Sequence, residues 1–148
     1  MYLINNNTLY VERCGERTIA REKTKVFSLN GDCLKELLDE SCIHYGSSFS
    51  GRVKSSAKVL ASNYNLPIVI SEKDDLLFFP VDNSNIYLNF AQINFLENKE
   101  SVVEIVFKNG ERKRICDSFL KVNNQLIRAS RIWFVYLLCV NLVIFQES

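Results

Sequence analysis

Asn109-Gly110 stands between two runs that alternate in polarity, and no other stretch restricts the fold of this chain as tightly. Val103, Ile105 and Phe107 alternate with Val102, Glu104 and Val106 before it, while Arg112 and Arg114 share one strand face after it. Asn-Gly is the preferred central pair of a type I′ turn, because both positions need positive φ. The expectation is an antiparallel hairpin over Val102 to Ile115. Further strands follow from the β-branched run Leu66-Pro67-Ile68-Val69-Ile70, from Leu76-Leu77-Phe78-Phe79 stopped by Pro80, and from one alternating strand over Ile86 to Phe95. Val26-Phe27-Ser28-Leu29 is a short apolar run closed by the turn signal Asn30-Gly31-Asp32.

Three helices fit between and after these strands. Leu34, Leu37 and Leu38 form an i, i+3, i+4 stripe that Asp32 can N-cap. Arg52 to Tyr64 places Val53, Ala57, Leu60 and Ala61 on one face and leaves Arg52, Lys54, Ser55 and Lys58 off it. From Ser118 the pattern is helical again through Leu126, Ile127, Ala129, Ser130 and Trp133. The fold class is α+β: a single domain, mainly of antiparallel strands with about three helices. The length of 148 residues suits one core, and 47% hydrophobic against 24% charged residues excludes wholesale disorder.

Met1 to Asn7 lacks the basic and apolar regions of a signal peptide, so cytoplasmic residence is expected. Ile132 to Phe145 is apolar except for Asn141. As a helix it would span about 21 Å, short of the ~30 Å hydrocarbon core, so a buried terminal element is expected and not a membrane span. Cys14, Cys33, Cys42, Cys116 and Cys139 contain no CxxC pair and stand beside a single histidine, His44. They read as reduced thiols, with no metal site and no cofactor. Cys42 and His44 lack an orienting third group, and no carboxylate pair stands out, so no enzymatic activity is expected.

Gly46-Ser47-Ser48-Phe49-Ser50-Gly51-Arg52 has the glycine spacing of a phosphate loop, but Arg52-Val53 replaces Lys-Ser/Thr. Two readings stay open for this loop. One is a tight turn with Ser50 as N-cap; the other is a set of free amides for a DNA phosphate, followed directly by Arg52, Lys54 and Lys58.

Charge is unevenly placed. The net value of +1 disfavours a nucleic-acid partner only if it describes every surface alike. Arg52 to Lys58 holds three cations and no acid. Phe107 to Arg131 holds Lys108, Arg112, Lys113, Arg114, Lys121, Arg128 and Arg131 against Glu111 and Asp117, leaving +5. Ser71 to Glu104 stands at −5. Two basic stretches therefore flank an acidic middle, as solvated faces or as a footprint for phosphates.

Leu38 through Arg52, with its Ser41-Cys42, Gly46-Ser47-Ser48-Phe49 and Gly51-Arg52, resembles the signature of the ComK-type competence transcription factors of Gram-positive bacteria. Pro67-Ile68, Phe79-Pro80, the strand ending at Asn109-Gly110 and Gln125-Leu126-Ile127-Arg128-Ala129 follow in the family's order. The resemblance covers residues 1–131, the expected DNA-binding domain, and leaves 132–148 as an atypical apolar C-terminal segment, altered or truncated relative to the family. The Cys and Trp that follow the family's Phe-Pro are missing here.

The resemblance implies a transcriptional activator of DNA-uptake genes. It would bind AT-rich double-stranded DNA, largely through the minor groove, as a homo-oligomer under the control of a proteolytic adaptor. Ser41, Cys42, Gly46, Ser47, Ser48, Gly51, Arg52, Phe79 and Pro80 are its signature positions. Arg52, Lys54, Lys58, Arg112, Lys113, Arg114 and Arg128 are the candidate DNA contacts. The alternative is a divergent or truncated member that acts as a protein-interaction module without activation.

Overall fold

The computed structural model describes the backbone of residues 1–147 and side chains as far as Tyr136. It is an α+β domain with a six-stranded antiparallel sheet at its centre. Strands β1 (Thr8–Cys14), β2 (Arg17–Glu22) and β3 (Val26–Asn30) form one meander, and β4 (Ile68–Ser71), β5 (Leu76–Val81) and β6 (Ile86–Asn89) form another. The order is β3-β2-β1-β6-β5-β4, so the two meanders join where β1 pairs with β6. Helices α1 (Leu34–His44) and α2 (Phe49–Leu60) connect them. A smaller sheet, β7-β8-β9 (Ile93–Lys99, Val102–Phe107, Arg112–Ile115), precedes the terminal helix α3 (Phe119–Glu147).

The large sheet is covered on both faces, and β5 shows how. Leu76 and Phe78 enter a core with Leu34, Leu37 and Leu38 of α1; Leu77, Phe79 and Val81 enter a second core with Ile105 and Phe107 of β8 and Val122, Ala129 and Ile132 of α3. Two-residue alternation sends neighbouring side chains to opposite faces. A strand buried on both faces is apolar throughout, which is why Leu76–Val81 reads as a continuous run.

The structure revises several local expectations. β1 and β2 lie at and beside the centre of the sheet, joined by Gly15-Glu16 with Gly15 at φ 63°, although no strand is expected over these residues. A bulge at Leu9 turns Leu9 and Val11 to opposite cores. β5 runs through Pro80 to Val81. β4 begins opposite Phe78, so nothing pairs Pro80 on that flank and its missing N–H leaves no gap. The single strand expected over Ile86 to Phe95 is two strands. Asn89 breaks it: its side chain accepts from Ala91 N at 3.2 Å and donates to Thr8 O at 2.7 Å, and a 3-10 turn at Phe90–Gln92 carries the chain to the second sheet.

The β8–β9 turn is not type I′, because Gly110 has positive φ (92°) and Asn109 does not. Gly110 N donates to Phe107 O and Phe107 N to Glu111 O, enclosing the three-residue loop Lys108-Asn109-Gly110 with glycine at the left-handed position. α1 starts after Cys33 with no side-chain cap, since the Asp32 carboxylate pairs with Arg13 at 2.7 Å. α2 starts three residues earlier than expected, with Ser48 and not Ser50 as its cap, and ends at Leu60 with Ala61 left-handed. On α3, Ile127 and Ser130 face solvent while Val122, Gln125, Ala129 and Ile132 are buried. Among the described residues no helix is long and apolar enough to cross a membrane.

Candidate nucleic-acid interface

The signature residues build the corner between α1 and α2. Ser41 is fully buried and its hydroxyl accepts from Ile4 N at 3.0 Å, anchoring the N-terminal segment to α1. Cys42 lies in the core under α1, where desolvation raises its thiol pKa to about 11. That thiol is a packing group, not a nucleophile. His44 is exposed, edge-on to Tyr45, and has no part in a dyad with it. Gly46 ends α1 at φ 91°, a conformation that favours glycine. Ser47 N then closes onto Cys42 O at 2.9 Å.

Two of the amides in the first turn of α2 are occupied by side chains. Phe49 N donates to the Asp39 carboxylate at 2.9 Å and Gly51 N to Ser48 Oγ at 3.1 Å. A Cβ on Gly51 would stand 3.0 Å from Ser48 Oγ, so the small residue keeps the cap in place. Arg52 donates from Nε to Ser47 Oγ at 3.1 Å and from Nη1 to Glu72 at 2.6 Å, with its side chain only 16% exposed. The geometry therefore favours the tight-turn reading of this loop over a phosphate cradle. Phe79 is fully buried, and the carbonyl of Pro80 accepts from Gln125 Nε2 at 2.8 Å.

The remaining cations divide by what they touch. Arg128 clamps a loop: Nη1 donates to Asn65 O at 3.0 Å and Nη2 to Tyr64 O at 2.7 Å, and burial lowers its pKa. Lys113 pairs with Glu12 at 2.9 Å and lies 5.0 Å from the centre of the Tyr10 ring. Arg112 bridges Glu97 and Glu104 across the outer face of the small sheet, at 2.5 and 2.7 Å. These hydrogen bonds hold both carboxyls below the usual carboxylate range. Arg114 is 77% exposed and 3.9 Å from Glu104, which Lys99 also approaches at 3.6 Å. Lys54 and Lys58 point to solvent from α2.

The β9 part of the second basic stretch is not brought to α2, whereas its α3 part is, with Arg128 bonded to Ser62, Tyr64 and Asn65 just past the end of α2. α2 packs beside β4 and α3 at one edge of the large sheet. β9 and its turn lie over β1 and β2, where Lys113 reaches Glu12 and Glu111 reaches Arg21 at 3.0 Å. Three strand spacings separate β4 from β1 in the sheet, about 14 Å. The acidic middle is instead folded onto both: Glu72 on Arg52, and Glu97 and Glu104 on Arg112. Charge segregated along the chain is mixed in space.

One cationic end was not singled out in the sequence. The β2–β3 turn, Lys23-Thr24-Lys25, meets the β8–β9 turn, where Asn109 Nδ2 donates to Lys23 O at 3.2 Å. Lys23 N donates to Asn7 O, and Lys108 N to Gln92 O, both at 2.9 Å. Lys25 and Lys108 are exposed and Lys23 is half-buried. The available signal was a Lys-x-Lys turn between two short alternating runs.

A family model described as ComK protein matches residues 1–137. A competence transcription factor of Bacillus subtilis (strain 168) is 25% identical over 114 residues, covering 74% of this chain. The chain spans 59% of the length of that relative. Among solved structures, the LytTr DNA-binding domain of a methyl-accepting/DNA response regulator from Bacillus cereus superposes with a TM-score of 0.41 at 11% identity, over 82% of this chain and 81% of that one.

Proposed function

The chain belongs to the ComK family, and from that membership we propose that it is a DNA-binding transcription factor of the competence system and not an enzyme. The observation that carries the reading is the family match over residues 1–137, joined by a relative that bears the name of a competence transcription factor. In this reading the protein acts in the cytoplasm as a homo-oligomer on AT-rich duplex boxes, largely through the minor groove. It activates DNA-uptake genes, and an adaptor-fed protease sets its level.

The test is fluorescence anisotropy of the purified chain on an AT-rich duplex at rising salt. If about five phosphates are neutralised, log K falls against log salt with a slope of about −4.5. Binding that is absent, or that ignores salt, overturns the reading.

A second reading rests on α3. Leu120, Ile127 and Phe134 recur every seven residues and are 68%, 50% and 63% exposed, an apolar stripe suited to a protein contact. In this reading the chain is an interaction module that no longer activates. An Ile127→Ser, Phe134→Ser double variant should then lower the solution mass measured by light scattering; an unchanged mass ends it.

A further inference from the structure

Resting on the DNA-binding reading, we propose that the joined tips of the β2–β3 and β8–β9 hairpins are the surface that meets the phosphates of duplex DNA. Lys23, Lys25 and Lys108 supply the charge. The choice follows from what each cation already does. Arg52, Arg112 and Lys113 are engaged by carboxylates, and Arg128 by carbonyls. The carboxylates beside Arg52, Arg112 and Lys113 already offset their charge, which weakens their pull on a phosphate. Among the described residues, the three tip lysines form no ion pair.

The nearby acids are mostly engaged. Glu111 is matched by Arg21 at 3.0 Å. The Glu22 carboxylate faces inward, accepting from the Tyr2 hydroxyl at 2.7 Å and from Asn5 Nδ2 at 3.0 Å. Asp75 shares a groove with Lys108 on the side towards Ile127 and Trp133.

The tips are also held in place before any ligand arrives. Asn109 and the Arg21–Glu111 pair tie one turn to the other, and Gln92 Nε2 donates to Asn6 O at 3.2 Å. Four chain segments, at residues 5–7, 23–25, 92 and 108–111, form one hydrogen-bonded end. Asn6 and Asn7 are exposed beside the lysines and can donate to sugar or base-edge acceptors. The tip backbone is thus ordered as well as that of α2, and it gathers three lysines and two asparagines where α2 presents Lys54 and Lys58 alone.

The experiment compares three proteins on one AT-rich duplex: the unaltered chain, a Lys23→Gln, Lys25→Gln, Lys108→Gln variant, and a Lys54→Gln, Lys58→Gln variant. Thermal melts check that all three are folded. The tip variant should bind about tenfold or more weakly, with a salt slope shallower by about 3, one per lost phosphate contact. The α2 variant should keep both affinity and slope. If the unaltered chain does not bind, the DNA-binding reading falls and the surface with it. If the unaltered chain binds and the tip variant matches it, or if the α2 variant takes the loss instead, the surface alone is wrong.

Discussion

The corner between α1 and α2 and the joined hairpin tips stand in contrast. The corner holds the most recognisable sequence in the chain, and almost every polar group in it is satisfied internally. Ser41, Ser48, Asp39 and Arg52 bond to backbone or to each other's neighbours. The tips share only Asn109-Gly110 with the family's pattern, and Lys25 and Lys108 are turned outward beside a half-buried Lys23. In the reading proposed above, the conspicuous motif marks a structural joint and the tips are where DNA docks. Substitutions in the corner should change stability, and substitutions at the tips should change binding.

The largest effect expected within the corner is from Arg52→Ala. It removes the link from α2 to Glu72 just past β4, and leaves Ser47 Oγ without its donor. Discounted for the partial exposure of Glu72, the loss is about 1–2 kcal/mol in urea denaturation. DNA affinity below the melting temperature should be unchanged; if affinity falls while stability holds, the assignment of Arg52 to the joint is broken. Ser48→Ala should cost about 1 kcal/mol by removing the α2 cap, again without a change in the salt slope of binding. A change in that slope would return the loop to phosphate contact.

The smallest effect concerns pH. Arg112 depresses the folded-state pKa of Glu104. A depressed carboxyl adds stability above its unfolded pKa and loses it as pH falls through the lower folded value. Melting temperature should therefore drop more steeply between pH 5 and pH 3 for the native chain than for Glu104→Gln. Parallel curves would show that the pair contributes nothing.

Legibility in the sequence tracked burial pattern. β4, β5 and β8 are apolar enough to be read directly, and the stripes of α1 and α2 follow helical spacing. β1 and β2 escaped because TLYVERC and RTIARE interleave charge with a few apolar residues, and the bulge at Leu9 breaks the alternation. The division between β6 and β7 escaped because it depends on Asn89 reaching Thr8 O, a contact distant in the chain. The candidate site was legible only as charge along the chain. Glu72, Glu97 and Glu104 neutralise residues that seemed free because strand register, not sequence distance, sets who faces whom. Glu104 opposite Arg114 and Val106 opposite Arg112 are facts of the β8–β9 pairing.

The junction of β1 with β6 bears on how the protein is made. Each meander, β1 to β3 and β4 to β6, closes through short loops and needs only local pairing. The seam that sets Val11 against Tyr87 joins the two and spans both helices between them. Distant closure is slow in such topologies, so the pairing of β1 with β6 is expected to follow the local pairing within each meander. The same layout makes the link from α2 to β4 a natural place to divide the chain. The two halves would each carry a complete meander, and their reassembly would report on that seam together with the packing of α1 and α2 on β4 and β5 and the joined hairpin tips.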